Sequence, residues 1–219
     1  MSQSEFHLNG PEPYVLAELA NAHNGDFGQL LAMIEATAKT GAQGIKFQWF
    51  QPDTTAMPDF EWYPVYQKIV FTADQWNQAV KTATQAGLEV WVDVCDEWAL
   101  AHLEQCRESI CGLKIPPSVL LDRRLSARTL SFGKPTLLGV GGHDDAAIQR
   151  HVEELRKINP CLILEHGFQA YPTKPEDATL RRIAFLRDRH GLPVAFADHE
   201  AGDSELALRL PEYAYFAGA

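Results

Sequence analysis

Six charged residues stand within or directly after short apolar runs, a place where an ionised side chain is costly. A buried charge costs several kcal/mol unless it is paired or bound to a ligand. Six such residues therefore favour a shared functional site over six separate structural ion pairs. The alternative interpretation is a polar cluster with a purely structural role. They are Glu18, Lys46, Asp93, Lys114, Glu165 with His166 behind it, and Asp198 with His199 behind it, each pair taken as one place.

The types of these residues indicate two kinds of chemistry. Lys46 and Lys114 lie between apolar neighbours, which favours inward-pointing ammonium groups that bind an anion over surface lysines with buried stems. Asp198 and His199 offer a carboxylate and an imidazole, which Mg²⁺, Mn²⁺ and Zn²⁺ accept as ligands. A lone histidine after a strand is also typical of a hydrogen-bonded structural residue, so a metal role for His199 rests on its neighbour Asp198.

The elements that must position these residues alternate along the whole chain. Seven strand–helix units of roughly 25 residues predict a parallel sheet, either an open doubly wound sheet or a closed (β/α)8 barrel. No GxGxxG follows the first strand, which disfavours dinucleotide binding. Predicted strands are 14–19, 44–47, 88–94, 111–115, 135–140, 161–165 and 193–198; predicted helices are 27–42, 72–87, 97–106, 121–133, 144–159, 178–191 and one starting at 203, with a loop over 48–71.

A barrel would place the charged residues together. Active sites of (β/α)8 barrels lie at the carboxyl ends of the strands. We therefore expect Glu18, Lys46, Asp93, Lys114, His166 and His199 to converge at one end. Because Asp93 is on the strand next to Lys46, it is also expected to pair with one of the lysines when no ligand is bound.

Composition limits the partners of the protein. The chain has 219 residues and a formal net charge of −10, which disfavours nucleic-acid binding because that requires basic patches. No apolar run approaches the ~20 residues that span a bilayer, and the polar start MSQSEFHLNG lacks an export signal. Four widely spaced cysteines without a CxxC pair are typical of reduced thiols. A cytoplasmic protein acting on small molecules is expected.

Six segments resemble the sialic acid synthase (N-acetylneuraminate synthase) family, in the same order along the chain. The most specific are the YPTxPED motif and the Asp-His after the seventh strand. The segments are AELANAHNGD (17–26), GAQGIKFQWF (41–50), GLKI (112–115), GKPTLLGVGG (133–142), HGFQAYPTKPEDATLRRI (166–183) and GLPVAFADHEAG (191–202).

The resemblance implies a (β/α)8 barrel of the TIM type that condenses phosphoenolpyruvate with an N-acetylated aldose. A divalent metal, Mn²⁺ or Mg²⁺, activates the sugar aldehyde; the enol carbon attacks it, and water then releases phosphate. A homodimer is the assembly that the family suggests. The resemblance implies Lys46 and Lys114 for the anion, Glu18 for the sugar or as an acid or base, and His199 for the metal, with Asp198 in support. The full set of candidate site residues is Glu18, Asp93 and Asp198 for catalysis, Lys46, Gln48, Lys114, His166, Gln169 and Tyr171 for substrate, and His199 for the metal.

The chain departs from the family where hydroxyl groups hold phosphoenolpyruvate. Asp93 stands for a threonine, Pro117 for a small polar residue, Gly139 for a serine and Ala197 for a serine. A negative charge at Asp93 would repel a phosphate, so weak binding of phosphoenolpyruvate is expected. Two alternatives follow: a metal-dependent carbon–carbon lyase or isomerase that does not use phosphoenolpyruvate, and a non-catalytic relative that binds a sugar acid.

The family pattern also predicts how the chain ends. A single barrel domain over 1–219 is expected, stopping before the eighth strand and without the C-terminal antifreeze-like domain.

Overall fold

The computed structural model describes residues 13–219, so the predicted polar start lies outside the described residues. This part of the chain divides into two compact units, one ending at Lys114 and the other starting at Ile115. Each unit consists of parallel strands with helices between them. The alternation of strand and helix predicted from the sequence is confirmed.

The first unit, ending at Lys114, contains strands β1 to β4. Parallel pairs join β1 to β2, β2 to β3 and β3 to β4. Its elements are β1 Leu16–Glu18, α1 Phe27–Thr37, β2 Gly44–Trp49, α2 Pro52–Thr55, α3 Tyr63–Ile69, α4 Ala73–Gln85, β3 Glu89–Val94, α5 Glu97–Cys106 and β4 Gly112–Ile115, whose last residue opens the second unit.

The second unit contains strands β5 to β7, and parallel pairs join β5 to β6 and β6 to β7. Its helices cover the strands through a cluster that includes Leu138, Leu164, Ile183 and Val194. Its elements are α6 Arg123–Leu130, β5 Thr136–Gly139, α7 Asp145–Leu155, β6 Leu162–His166, α8 Arg181–His190, β7 Val194–Phe196 and α9 Leu210–Phe216.

Helix starts follow the capping signals in the sequence. Thr72 forms a capping box with Gln75 at the start of α4, and Asp144 caps α7 by accepting from the Ala147 N–H. Each such cap is worth about 0.5–2 kcal/mol because it satisfies an N–H group that lacks an intrahelical partner. The caps therefore fix where the connections after the strands end.

Two predicted boundaries were wrong. The segment 48–71, predicted as a loop, continues β2 to Trp49 and then forms α2 and α3. The last helix does not start at residue 203; it begins at Leu210 with Pro211 in its first turn. Proline is favoured there because its missing N–H would have no intrahelical partner, whereas Ser204 forms only a local turn by accepting from the Leu206 N–H.

Alternation along β2 separates core from site. Phe47 and Trp49 point toward α4, where their rings lie 5.5 and 5.9 Å from the Trp76 ring. Lys46 and Gln48 therefore point to the opposite face of the sheet. No helix among residues 13–219 is long and apolar enough to cross a bilayer, and all four cysteines are free thiols.

Acidification is expected to destabilise the protein through His102. Its buried ring lies 4.7 Å from the Trp49 ring, stacks on Trp98, and has no hydrogen-bond partner among residues 13–219. Burial lowers its pKa, so the unfolded chain binds the proton more readily than the folded one. The stabilisation is therefore complete above the unfolded pKa of about 6.5 and is lost as the pH falls through the folded pKa.

Urea unfolding at pH 8 and pH 5 checks this expectation with the variant His102→Phe, which keeps the ring packing and removes the titrating group. The unmodified protein should lose more free energy of unfolding between the two pH values than the variant does. Burial also lowers the pKa of His23, His166 and His190, so the variant should retain part of the loss. Identical losses would rule out His102 as a contributor.

Candidate functional site

The carboxyl ends of four neighbouring strands bring four charged residues together in the first unit. Glu18 is in register with Lys46, and Asp93 is in register with Lys114. Because Gln48, two residues after Lys46, is in register with Asp93, all of these side chains project from the same face of the sheet. The first four residues of the predicted convergence therefore meet, as expected.

Asp93 lies between the two lysines of this cluster. Its Oδ1 is 2.9 Å from the Lys46 Nζ, and its Oδ2 is 3.8 Å from the Lys114 Nζ. Glu18 pairs with Lys46 through Oε2. The Lys46 and Asp93 side chains are only 3% and 2% exposed, so each charge depends on its partners. The predicted pairing of Asp93 with a lysine is confirmed.

A polar chain connects this cluster to the loop after β1. Gln48 Nε2 donates to Asp93 Oδ2 over 3.5 Å, and Asn21 Nδ2 donates to Gln48 Oε1 over 3.2 Å. The sequence interpretation missed Asn21, although it lies in the segment 17–26 that carries the resemblance. Ala20, which donates its N–H to Glu18 Oε1, has φ +44°, a strained conformation for a residue with a Cβ.

Trp91 covers the layer beneath the charges. It lies two residues before Asp93 on the same face, and its indole N–H donates to the Tyr14 hydroxyl over 2.9 Å. A Cβ on Gly112 would stand 2.4 Å from the Trp91 ring, so only glycine fits beside it. The buried Trp91 ring therefore lies beneath the charged cluster and excludes water from it, which strengthens the electrostatic interactions of the charged side chains.

The second unit holds the other predicted site residues. His199 Nδ1 donates to the Phe168 carbonyl over 2.9 Å, and its ring lies 5.6 Å from the exposed Tyr171 ring. Asp198 Oδ1 accepts from the Glu200 N–H, and Gln169 Nε2 donates to the Gly167 carbonyl. The loop after β6 therefore brings three predicted site residues close together. They are His199, which bonds to residue 168, Tyr171, whose ring contacts His199, and Gln169, which bonds to residue 167.

His166 points to the helix side of its sheet. Its Nε2 donates to the Ala178 carbonyl over 2.9 Å, just before α8, and its ring lies 6.1 Å from the Phe196 ring. Since successive residues of a strand face opposite ways, Glu165 projects to the other face. A substrate role for His166 stays a prediction, and the structure gives it a setting different from that of Glu165.

The sequence model of the NeuB family matches residues 33–210. The chain belongs to the NeuB family. Similar proteins include an uncharacterized protein of Methanocaldococcus jannaschii, 26% identical over 88% of this chain and 57% of that protein. Another is N,N′-diacetyllegionaminic acid synthase of Legionella pneumophila, 22% identical over 91% of this chain and 63% of that protein.

A solved NeuB-type structure shows the same fold. The N-acetylneuraminic acid (sialic acid) synthetase from Leptospira borgpetersenii, crystallised with citrate, matches with a TM-score of 0.88 and 23% identity, over 96% of this chain and 72% of that chain. The predicted family and the predicted (β/α) barrel-type fold class are confirmed, with seven strands and no eighth among residues 13–219. The chain spans 57% and 63% of the lengths of the two curated relatives.

Packing explains one departure from the NeuB pattern, the glycine at position 139. A Cβ at Gly139 would lie 2.5 Å from Pro117 Cδ and 2.8 Å from its Cγ. The proline ring therefore fills the space that the family serine at 139 would need. The loss of the serine is therefore coupled to the proline, because a serine at 139 cannot return without a clash while Pro117 is present.

Arg182, in the first turn of α8, escaped the sequence interpretation. Its Nη2 donates to the His143 carbonyl and to Asp145 Oδ1. An arginine on an exposed helix is usually a solvated surface residue, so no local pattern marked Arg182 as part of a site.

Proposed function

We propose that this NeuB-family chain carries the catalytic centre of a sialic acid synthase-like enzyme that condenses phosphoenolpyruvate with an N-acetylated aldose to a 2-keto-3-deoxy sugar acid. The observation that supports it is the convergence of Glu18, Lys46 and Lys114 on one face of the sheet. The synthase names of the relatives point to the same class of reaction.

The chemistry of each side chain suits one part of this reaction. The two lysines provide the positive charge that holds the carboxylate and phosphate of phosphoenolpyruvate. Glu18 has a side chain that is 36% exposed and touches Lys46, so it can exchange a proton with solvent as an acid or base. Gln48 and Asn21 offer amide groups to the sugar hydroxyls. Substrate-binding roles for Gln169 and Tyr171, which lie in the second unit, stay predictions.

Binding of phosphoenolpyruvate to this site is weak in our proposal. Asp93 already neutralises Lys46 and lies 3.8 Å from Lys114. An incoming phosphate has to displace this carboxylate and then stay close to it, which consumes part of the binding energy. Asp93 is then the proposed catalytic residue that most distinguishes this centre, since its carboxylate lies between the two lysines that are proposed to hold the substrate.

A second candidate is a carbon–carbon lyase or isomerase that does not use phosphoenolpyruvate. Pro117 favours it, because its ring occupies the place of a phosphate-binding serine. The two candidates differ in stoichiometry. The synthase releases one phosphate for each sugar acid formed, whereas the lyase or isomerase converts its sugar with no phosphate release. A relative that only binds a sugar acid would neither release phosphate nor convert the sugar.

A divalent metal is proposed to assist by polarising the aldehyde of the sugar, with Mn²⁺ or Mg²⁺ as the ion. The Nδ1 proton of His199 is directed at the Phe168 carbonyl, which leaves Nε2 as a metal-binding lone pair. Among residues 13–219, however, no group of three His, Cys, Asp or Glu side chains is placed to hold an ion. The described residues thus supply one ligand rather than a full site, and the roles assigned above do not depend on a metal.

His199→Ala is expected to abolish the weak binding of Mn²⁺, because the variant removes the only imidazole assigned to the ion. Electron paramagnetic resonance titration with MnCl₂ measures the bound fraction. His143→Ala is the matched control and should bind as the unmodified protein does. Unchanged binding after His199→Ala would remove this residue from the metal site.

The remaining expectations are part of the same proposal: a cytoplasmic enzyme with small-molecule substrates, assembled as a homodimer, and one barrel domain over 1–219.

A further inference from the structure

A pocket of about 270 Å³ lies at the carboxyl ends of β5 and β6, wholly within the second unit. Its walls come from the turn after β5, the residues after β6 and the start of α8. They include Gly142, His143, His166, Phe168, Thr179 and Arg182. This volume is slightly below the range of about 300–1,000 Å³ for drug-sized ligands, so it suits a small metabolite.

Among the pocket-lining residues in the described part of the chain, 13–219, Arg182 is the one arginine, and there is no lysine. Its Nη2 donates to the His143 carbonyl over 3.3 Å and to Asp145 Oδ1 over 3.1 Å. These two bonds hold the guanidinium at the pocket wall. The Nε and Nη1 donors make no hydrogen bond to residues 13–219, and their fork geometry matches a carboxylate.

Two imidazoles present acceptors to the same pocket. His166 is 4% exposed, and its Nε2 donates to Ala178 O, which leaves Nδ1 as an acceptor without a partner among residues 13–219. Burial lowers the pKa of His166 and keeps it neutral. Leaving a buried acceptor unsatisfied is costly, so a ligand donor that reaches it would stabilise the complex. His143 Nε2 donates to the Pro117 carbonyl over 2.8 Å, so its Nδ1 is also an acceptor.

The backbone around the pocket is held in unusual conformations. Gly142 has φ +79° at the third position of the turn Val140–His143, a type II position that needs glycine. Thr179 has φ +48°, a strained conformation for a β-branched residue. Its hydroxyl donates to the Asp177 carbonyl, so the oxygen remains an acceptor on the pocket side of α8.

We propose that this pocket binds a small polyhydroxylated monocarboxylate. The carboxylate lies on the Arg182 guanidinium, and ligand hydroxyls donate to Nδ1 of His166 and of His143. Asp145 already pairs with Arg182, so the pocket wall carries little net positive charge, which favours a carboxylate over a phosphate dianion. The site goes beyond the proposed function because it uses none of the residues of the Glu18–Lys46–Asp93–Lys114 cluster.

The test is calorimetric titration of the full chain with D-gluconate, which carries both a carboxylate and hydroxyls. Sorbitol, acetate and inorganic phosphate are separate probes of the hydroxyls, the carboxylate and a different anion. Gluconate should bind saturably, and each of the other probes should bind at least about ten-fold more weakly, the equivalent of losing one charged or several neutral hydrogen bonds.

Arg182→Gln should weaken gluconate binding at least about ten-fold, whereas Arg181→Gln, its exposed neighbour, should change it less than about two-fold. Thermal unfolding shows whether Arg182→Gln is folded; if it is not, His143→Ala takes its place and should also weaken binding. No saturable gluconate binding, or equal losses in the Arg181 and Arg182 variants, overturns the site. Tighter binding of phosphate than of gluconate overturns the assignment of the ligand.

Discussion

Replacing Asp93 by threonine is expected to strengthen phosphoenolpyruvate binding by about 1–3 kcal/mol, or roughly 5–150-fold. The carboxylate between Lys46 and Lys114 competes with the ligand for both ammonium groups. Threonine removes that competitor and restores the hydroxyl of the family pattern. The lysines are then left with fewer partners, so the ligand gains the charge that Asp93 now neutralises.

Calorimetric titration with phosphoenolpyruvate, with and without MnCl₂, measures this difference. Asp74→Thr is a useful control, because it also removes one carboxylate but from the exposed first turn of α4 in the same unit. Equal affinities of the unmodified protein and the Asp93 variant would show that this charge does not govern the substrate. Tight binding by the unmodified protein would refute the proposed weak affinity.

Lys46→Met is expected to lower the free energy of unfolding by about 3–5 kcal/mol, the cost of removing one partner from a buried ion pair. Methionine fills much of the same volume, so most of the loss comes from the charges left behind. Asp93 is 2% exposed and keeps its 3.8 Å approach to Lys114 and the long hydrogen bond from Gln48, while the partly exposed Glu18 loses its ion pair. The buried Asp93 carboxylate is then left without this ammonium group.

Urea unfolding at neutral pH gives the free energy, and Lys39→Met is the matched control because Lys39 is exposed on the surface. The double variant Lys46→Met with Asp93→Leu should recover part of the loss, since it removes the unpaired acid as well. A loss below about 1 kcal/mol in Lys46→Met, the size expected of an exposed pair, would mean that the cluster is solvated rather than buried.

The sequence predicted the first-unit cluster because two physical regularities constrain it. Parallel strands end on the same edge, and the period of two fixes which residues share a face, so Lys46, Asp93 and Lys114 had to be neighbours. The same charge argument predicted that Asp93 pairs with a lysine. These inferences need only the strand positions, which the apolar runs marked well.

Other features depend on contacts that no local pattern encodes. The clash between a Cβ at Gly139 and the ring of Pro117 joins residues 22 positions apart, so each looked like a separate loss of a hydroxyl. His166 follows Glu165 by one residue, and a one-residue difference reverses the face of a strand. The last helix was predicted to start at residue 203, whereas α9 begins at Leu210 with Pro211 in its first turn.

Product formation from phosphoenolpyruvate labelled with ¹³C at its methylene carbon and N-acetylmannosamine, with MnCl₂, tests the central claim most directly. ¹³C and ³¹P nuclear magnetic resonance follow the new carbon–carbon bond and the released phosphate in one sample. We predict one phosphate for each sugar acid formed, at high phosphoenolpyruvate concentration in the unmodified protein and at lower concentration in Asp93→Thr, with both signals lost in Lys114→Met. Conversion of the sugar without phosphate release, or no labelled product from either the unmodified protein or Asp93→Thr, would contradict the assignment of this centre to a synthase.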